Sequence, residues 1–201
     1  LRTKLGKGRT PTHEGLEFDF DALQARKLAP LSLDLSGIAK GYAVDRMIAV
    51  LGRFEITDAL VGLDGDMRAC GARLDGQAWT VAVERPDYET RAPLSMIALT
   101  NAAVATSGDY RHWIEAGGKR LSHTMDPSCS GPVRDTPASV TVLAETCMEA
   151  DAWATAFMVS GQHTSATWAK AIGVTAVFIY RDGESFRQAH VGGSDGTVDG
   201  N

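Results

Sequence analysis

The stretch from residue 31 to residue 51 constrains the fold more than any other part of the chain, because three structural signals follow one another within it. Residues 31–35, Leu-Ser-Leu-Asp-Leu, are strand-like, and Ser36-Gly37 predicts a turn. Apolar residues from Ile38 to Leu51 then recur near the 3.6-residue period of an α-helix, and Gly52 is the expected helix stop. The pattern therefore predicts a strand–turn–helix unit.

This unit has a possible chemical use at its turn. A glycine turn before a helix exposes unpaired backbone N–H groups at the positive end of the helix dipole, which suits a phosphate. Lys40, one turn into the helix, adds a point charge for the same anion. Short glycine-containing motifs often occur without such a role, so the local pattern alone favours an ordinary strand–turn–helix unit with a surface lysine.

Composition places the chain among globular proteins and excludes several function classes. With 201 residues, of which 44% are hydrophobic and 22% charged, it can bury a real core as one large domain or two small ones. The net charge of −5 argues against broad binding to nucleic acid or anionic membranes. No apolar run approaches the roughly 20 residues of a transmembrane helix, and no signal peptide is recognisable. A cytoplasmic protein, a mature exported protein and a trimmed fragment all remain open.

The three cysteines favour no metal site. Cys70, Cys129 and Cys147 lack the spacing of zinc-binding or haem-attachment motifs, and three thiols allow at most one disulfide. The redox state of these thiols stays open.

The remaining patterns predict many short strands and few helices. Apolar or alternating runs predict strands at Leu16–Phe20, Ala59–Leu63, Trp79–Glu84, Leu94–Leu99, Ser139–Ala144 and Val174–Tyr180. Helices are predicted at Cys147–Val159 and Thr164–Ile172, on either side of Gly161. Turns are predicted at Asp64-Gly65-Asp66, at residues 106–110 and at residues 181–183. Because strands and helices do not alternate regularly, we expect an α+β fold with a mainly antiparallel sheet and flanking helices.

Three segments follow from this division. Residues 1–32 form an N-terminal loop and strand segment, in which residues 1–15 are expected to be loop or a frayed end. Residues 33–191 form the core. The Gly/Asp/Ser-rich tail, residues 192–201, is predicted to be disordered.

Asp151 and Thr155 are the first candidate metal ligands. They are four residues apart on a predicted helix and therefore share one face. A carboxylate and a hydroxyl placed in this way offer two oxygen ligands to a hard cation such as Mg²⁺. Taken alone, the pair is better explained by an aspartate that complements the helix dipole and a threonine bonded to the preceding turn.

His123 and the Ser107-Gly108-Asp109 segment are two further candidates. His123 lies between a strand and a Pro/Gly-rich loop, where an imidazole can accept a proton near neutral pH. Ser107-Gly108-Asp109 could hold a ligand through backbone N–H groups. A lone histidine is usually a surface or capped residue, and an ordinary turn explains the second pattern equally well.

The order of these motifs resembles the ApbE family, whose members are FAD:protein FMN transferases. The resemblance runs from about Leu33 to about Val177. The matching motifs are Asp34-Leu35-Ser36-Gly37-Ile38-Ala39-Lys40-Gly41-Tyr42-Ala43-Val44-Asp45, Gly65-Asp66, Thr106-Ser107-Gly108-Asp109-Tyr110-Arg111, Ser122-His123-x-x-Asp126-Pro127-x-x-x-Gly131-Pro132-Val133 and Glu149-Ala150-Asp151-Ala152-Trp153-Ala154-Thr155-Ala156. Five motifs in the family order make the resemblance specific.

The resemblance implies an activity, a fold and a set of site residues. The fold would be the ApbE-like, or T-fold-like, α+β architecture. Such enzymes bind FAD with Mg²⁺, cleave its pyrophosphate and attach FMN to a threonine or serine hydroxyl of a target flavoprotein. Position by position, the implied Mg²⁺ ligands are Gly37 (through its carbonyl), Asp151 and Thr155. The implied FAD-binding residues are Lys40, Gly41, Asp45, Ser107, Gly108 and Asp109, and His123 is the implied base.

The resemblance also implies a partner and a location. The acceptors are typically flavoprotein subunits of membrane redox complexes, such as Na⁺-pumping NADH:quinone reductase. The implied location is the periplasm or another exported compartment.

The chain departs from the family pattern at three places. The segment before the first motif is short, the usual Asp-Pro-Arg-Thr-Gly is replaced by Asp-Pro-Ser-Cys-Ser-Gly at residues 126–131, and the usual Gly-Gly-Asp has become Asp64-Gly65-Asp66. The short N-terminus and the altered Asp-Pro loop favour one alternative, a non-catalytic FAD-binding or interaction module. A second alternative is a pyrophosphatase that hydrolyses FAD to FMN and AMP, with water in place of the acceptor hydroxyl.

Overall fold

The computed structural model describes residues 11–111, 113–116, 119–122, 124–126, 131–133, 137–183 and 185–192. The helices are α1 (Thr12–Gly15), α2 (Ala39–Gly52) and α3 (Cys147–Ile172). The strands are β1 (Leu16–Asp19), β2 (Gln24–Lys27), β3 (Ala59–Leu63), β4 (Asp66–Cys70), β5 (Trp79–Glu84), β6 (Pro93–Leu99), β7 (Ala103–Gly108), β8 (Trp113–Ala116), β9 (Lys119–Ser122), β10 (Met125–Asp126), β11 (Gly131–Pro132), β12 (Ser139–Ala144), β13 (Thr175–Asp182) and β14 (Ser185–Val191).

A six-stranded antiparallel sheet forms the centre of the fold. Its strand order is β14-β13-β12-β7-β4-β3, and β5–β6, β1–β2, β8–β9 and β10–β11 form separate antiparallel pairs. The predicted α+β class with a mainly antiparallel sheet and flanking helices is confirmed.

The two faces of the central sheet pack against different layers. Val140, Val142 and Phe178 share one hydrophobic cluster with residues of α3, including Phe157 and Met158. The neighbouring residues of the same strands point the other way, because side chains alternate along a strand. On that second face, Val104, Val177 and Ile179 pack with β5 and β6 through Val81, Val83, Ile97 and Leu99. The helices therefore lie on one side of the sheet and the β5–β6 hairpin on the other.

Helices α2 and α3 approach each other closely at Gly41. A Cβ atom at this position would lie 2.2 Å from the carbonyl oxygen of Cys147 and 2.8 Å from the Cβ of Asp151. Real Cβ atoms do not tolerate such distances, so only glycine permits this contact between the helices. Val44, one turn further along α2, is fully buried with Cys147 and Ala103.

The prediction of two helices around Gly161 agrees with the structure. Helix α3 is interrupted at this glycine, whose φ of 72° and ψ of 169° are not helical. The helix ends at Gly173, which adopts the left-handed conformation typical of a C-terminal cap.

Several local predictions are wrong because hydrogen bonds outweigh composition. Residues 31–35 form no strand, since the Asp34 side chain accepts the Ser36 N–H at 2.9 Å, a local turn that competes with sheet pairing. Helix α2 begins at Ala39, one residue later than predicted, and it ends at Gly52, the predicted stop. Residues 12–15 form the short helix α1 instead of a loop.

The strand boundaries also differ from those predicted. Ser107 and Gly108 belong to β7 rather than to a turn, because β12 pairs with them. Strand β4 was not predicted, and Arg181 and Asp182 continue β13 into the region assigned to a turn. The other predicted strands, including Leu16–Phe20, are present within a residue or two at their ends. Residues 1–10 and the predicted tail from 193 to 201 lie outside the described residues. Within the described parts of the chain, no helix is both long and apolar enough to cross a membrane.

The Gly41 contact predicts unequal effects of two glycine substitutions in α2. Gly41→Ala forces a methyl group against the Cys147 backbone, so we expect it to lower the free energy of unfolding by about 1–3 kcal/mol or more. Gly52→Ala is the matched control, because nothing lies within 4 Å of a Cβ there. We expect Gly52→Ala to change stability by less than about 0.5 kcal/mol, or to raise it slightly. Urea unfolding measures both, and equal effects would contradict the close approach.

Candidate functional site

Helices α2 and α3 each place an aspartate at the N-terminus of the other. The Oδ2 atom of Asp151, on α3, accepts the backbone N–H of Gly41 at 3.0 Å. In return, the carboxylate of Asp45, on α2, accepts the N–H groups of Cys147 and Met148, both at 2.9 Å. Backbone N–H groups in the first helical turn lack partners within the helix, and a negative charge there is favourable. This reciprocal capping locks the two helices in one relative position.

The N-terminus of α2 is therefore less open to an anion than predicted. Gly41 donates to Asp151, and the N–H of Ala39 donates to the carbonyl oxygen of Leu35 at 3.0 Å. The prediction that backbone N–H groups here are unpaired and free to bind a phosphate is therefore wrong for Gly41 and Ala39. A carboxylate already occupies the positive end of the helix.

Asp151 and Thr155 lie on one face of α3, as predicted, and that face meets the turn before α2. Asp151 is buried, with 4% of its surface exposed. The Gly37 backbone runs against Thr155, because a Cβ on Gly37 would lie 3.0 Å from the threonine Oγ1 atom. The Ser107 Oγ atom lies 3.1 Å from the same Oγ1. The fold thus brings together three segments that are far apart in the sequence.

These groups have the chemistry of a site for a hard cation. A carboxylate, a threonine hydroxyl and the backbone carbonyls beside Gly37 are oxygen donors, which Mg²⁺ prefers. The reciprocal cap limits the freedom of the Asp151 side chain, so the donors are held by the scaffold. The residues present therefore fit the ion that the sequence resemblance implies.

Lys40 pairs with the buried carboxylate of Asp66. Its Nζ atom lies 2.8 Å from Oδ2 of Asp66, and only 1% of the aspartate side chain is exposed. The Thr106 N–H contributes a long contact of 3.4 Å to the other oxygen.

The pKa values of both Lys40 and Asp66 are shifted by burial and by their attraction to each other. Burial raises the pKa of the Asp66 carboxyl, and the attraction of Lys40 only partly offsets this. Burial lowers the pKa of Lys40, but its hydrogen bond and Coulombic attraction to Asp66 outweigh burial, with smaller contributions from Asp151 and Asp64, so the lysine pKa is raised overall. Lys40 therefore keeps its charge at neutral pH.

A second ion pair joins α2 to the same strand. Nη1 of Arg68 lies 2.7 Å from Oδ1 of Asp45. Asp66 and Arg68 are two residues apart in β4 and so point to the same face of the sheet, towards α2. Both oxygens of Asp45 thus have protein partners. The FAD contact that the resemblance implies for Asp45 stays a prediction.

The Ser107-Gly108-Asp109 segment ends β7 beside the candidate metal site. Ser107 points towards Thr155, whereas Asp109 makes a two-point ion pair with Arg181, at 2.7 and 3.0 Å. Gly108 is needed for close packing, since a Cβ there would lie 2.5 Å from the Tyr110 ring. Of the three, only Ser107 directly contacts a predicted metal ligand.

His123, the predicted base, lies outside the described residues, as do residues 127–130 of the Asp-Pro loop. Two residues at the site were not predicted as site residues, namely Asp66 and Arg68. Asp66 had two signals, its place after the Asp-Gly turn and its membership of the Gly65-Asp66 motif, but its burial and its pairing with Lys40 are invisible in the sequence.

The family comparison matches most of the chain. A model described as the ApbE family matches residues 7–178. The chain is 34% identical over 162 residues to the FAD:protein FMN transferase of Escherichia coli K12, covering 81% of this chain and 46% of that protein. It is 35% identical over 164 residues to the FAD:protein FMN transferase of Vibrio cholerae, with 82% and 49% covered. The chain thus spans about half the length of the curated relatives it matches.

Solved structures show the same likeness. The flavin transferase ApbE from Vibrio cholerae superposes with a TM-score of 0.75 at 33% identity, covering 89% of this chain and 56% of that one. The ApbE protein of Thermotoga maritima gives a TM-score of 0.76 at 30% identity, with 88% and 57% covered.

The Lys40–Asp66 pair predicts a pH-dependent loss of stability. Lys40→Met leaves a buried carboxylate without its counter-ion, so we expect the free energy of unfolding at neutral pH to fall by about 1–3 kcal/mol. The folded pKa of Asp66 is raised above its usual 3.8, and loss of the lysine raises it further. A group with a raised folded pKa loses its contribution as pH rises through that pKa, so the deficit should shrink as pH falls from neutrality through the raised pKa of Asp66.

Urea unfolding of three variants separates the pair from its surroundings. Adding Asp66→Asn to Lys40→Met should restore part of the loss, because the unpaired charge disappears. Arg46→Met removes an exposed cation from the same helix and should cost less than about 0.5 kcal/mol. A Lys40→Met deficit that stays constant with pH would contradict the role given to Asp66.

Proposed function

Because the chain belongs to the ApbE family, we propose that it transfers FMN from FAD to a threonine or serine hydroxyl of a target flavoprotein and releases AMP. The observation that carries this proposal is the meeting of Asp151 and Thr155 with the start of α2 and the turn before it, the segment that carries Lys40. The names of the relatives, FAD:protein FMN transferases, support the same reaction.

The proposed reaction exchanges the phosphoanhydride bond within FAD for a phosphoester bond to the acceptor. The acceptor hydroxyl oxygen attacks the phosphorus of the FMN half of FAD, and the bond from that phosphorus to the bridging oxygen breaks. AMP leaves with this oxygen, and the hydroxyl proton passes to a base, for which we propose His123. Phosphoryl transfer depends mainly on positioning and charge neutralisation, with little covalent chemistry for the protein to perform.

The proposed site divides these tasks among few residues. Asp151, Thr155 and the Gly37 carbonyl would hold Mg²⁺, which supplies charge neutralisation at the pyrophosphate. Lys40 adds a fixed positive charge, and Asp66 restricts its position while using one of the three hydrogen-bond donors of the ammonium group. The reciprocal capping by Asp45 and Asp151 keeps the lysine, on α2, at a constant distance from the oxygen ligands on α3.

The partner and location follow from the same proposal. We propose a flavoprotein subunit of a membrane redox complex as the acceptor, and the periplasm or another exported compartment as the place of action. Binding without transfer, and hydrolysis of FAD to FMN and AMP, are the outcomes that would replace this function.

Asp151→Asn tests the metal assignment. The amide oxygen can still accept the Gly41 N–H, so we expect the thermal unfolding midpoint to change little, whereas Mg²⁺-dependent transfer should be lost with the charge. Glu149→Gln is the matched control, since it removes an exposed acid from the same helical turn, and it should keep full activity. Undiminished Mg²⁺-dependent transfer by Asp151→Asn would show that the metal lies elsewhere.

His123→Ala tests the catalytic base. If His123 must be deprotonated to act, the transfer rate of the unmodified chain should rise with pH through one ionisation near neutrality. The variant should be slower by about two to four orders of magnitude, with FAD and Mg²⁺ binding nearly unchanged.

Both variants can be assayed by in-gel flavin fluorescence of a denatured acceptor after incubation with FAD and Mg²⁺. A dark acceptor band with the unmodified chain, despite measurable FAD binding, would leave only a binding module. Free FMN and AMP with a dark band would identify a pyrophosphatase. An equally bright band for His123→Ala would remove His123 from the mechanism.

A further inference from the structure

Small residues on one face of β7 bring this strand close to α3. Side chains alternate along a strand, so Ala103, Ala105 and Ser107 share the face that carries the helices. Ala103 and Ala105 are almost completely buried, at 0% and 1% exposure. Because neither side chain extends beyond Cβ, α3 can lie near enough for Ser107 to contact a helical side chain. That side chain is Thr155, at 3.1 Å between the two hydroxyl oxygens.

We infer that Ser107 is a positioning residue for the cation site, because its hydroxyl sets the direction of the Thr155 hydroxyl. This inference rests on the proposed Mg²⁺-dependent function. Ser107 acts on the cation through Thr155, as the acceptor of the threonine proton.

Ser107 can orient the Thr155 hydroxyl because a hydroxyl group has few hydrogen-bonding positions. A threonine hydroxyl has one proton and two acceptor lone pairs. To bind a cation through Oγ1, Thr155 must present a lone pair to the ion and direct its proton away. A helical threonine can give this proton to the carbonyl of the preceding turn, which here belongs to Asp151, so the direction is not decided by the helix alone. An acceptor on the neighbouring strand selects one direction.

The other side of Thr155 is held by contact rather than by hydrogen bonding. A Cβ at Gly37 would lie 3.0 Å from both Oγ1 and Cγ2 of Thr155, so the turn backbone closes on the side chain. Removing the Ser107 hydroxyl therefore leaves the Thr155 side chain in place, but its hydroxyl proton is no longer held in one direction. Loss of a group that orients a metal ligand typically weakens metal binding by about 10- to 100-fold, and we expect the lower end for Ser107→Ala.

The same sheet provides a matched control on its opposite face. Thr106 and Thr141 also form a hydroxyl–hydroxyl hydrogen bond, at 2.8 Å, between β7 and β12. Thr141→Val removes this bond with almost no change in the shape of the side chain. The bond involves Thr106, the neighbour of Ser107 in β7, but it lies on the face of the sheet away from the helices. Thr141→Val should leave cation affinity within about twofold of the unmodified chain, since it touches none of the oxygen ligands.

The experiment is a titration with Mn²⁺, a paramagnetic substitute for Mg²⁺, followed by electron paramagnetic resonance. The whole chain is titrated alone and with FAD. We expect Ser107→Ala to bind about 10-fold more weakly than the unmodified chain, and Ser107→Thr, which keeps a hydroxyl, to recover most of the affinity. Thermal unfolding midpoints measured alongside should differ little between the two Ser107 variants.

The possible results separate this inference from the function on which it rests. Equal Mn²⁺ affinity of Ser107→Ala and the unmodified chain would overturn the positioning role and leave the metal-dependent function standing. An unmodified chain that binds no Mn²⁺, with or without FAD, would overturn both. Equal weakening by Thr141→Val and Ser107→Ala, or failure of Ser107→Thr to recover, would also overturn the inference, because the effect would then not depend on the Ser107 hydroxyl.

Discussion

The reciprocal capping of α2 and α3 is the interaction on which the rest of the site depends. Each helix begins with backbone N–H groups that need an acceptor, and the other helix provides one through Asp45 or Asp151. For this exchange, the two backbones must lie so close together at Gly41 that a Cβ atom would not fit there. The glycine and the two aspartates therefore act together, since the carboxylates reach their partners only because the helices touch.

The charged pairs between α2 and β4 extend this arrangement to the sheet. Lys40 on the helix pairs with Asp66 on the strand, and Asp45 on the helix pairs with Arg68. The cation comes first on the helix and the anion comes first on the strand, so a shift of α2 along β4 would bring like charges together. Asp66 is almost fully buried, where an ionised carboxylate is unfavourable without a partner. Its burial ties the lysine to one place, next to the oxygen atoms that fit a hard cation. The same contacts that stabilise the helix position thus also hold the lysine ammonium group in place.

The site itself is assembled from three segments, the turn before α2, the end of β7 and the first turns of α3. Asp151 and Thr155 lie on one face of α3, the Gly37 backbone covers that face, and Ser107 reaches it from the sheet. The small residues of β7 make this last contact possible. Packing distance, rather than the identity of any one polar residue, therefore decides which oxygen atoms meet.

The sequence by itself determined what depends on residues close together in the chain. The spacing of Asp151 and Thr155 placed them on one helical face, apolar runs located β3, β12 and β13 of the central sheet, and Gly161 marked the break in α3. Motif order also identified the family and its proposed chemistry. These features follow from helix and strand periods, which a local pattern reports directly.

Only the tertiary structure decided which of these residues meet and what each one bonds to. Asp45 caps a helix that begins 102 residues later, and Asp151 reaches back 110 residues to Gly41. Asp66 is buried by the approach of α2, and Ser107 continues a strand because β12 supplies its backbone partners. No period of the sequence encodes such contacts, since they arise from the distance between packed elements, and that distance depends on the small residues between them.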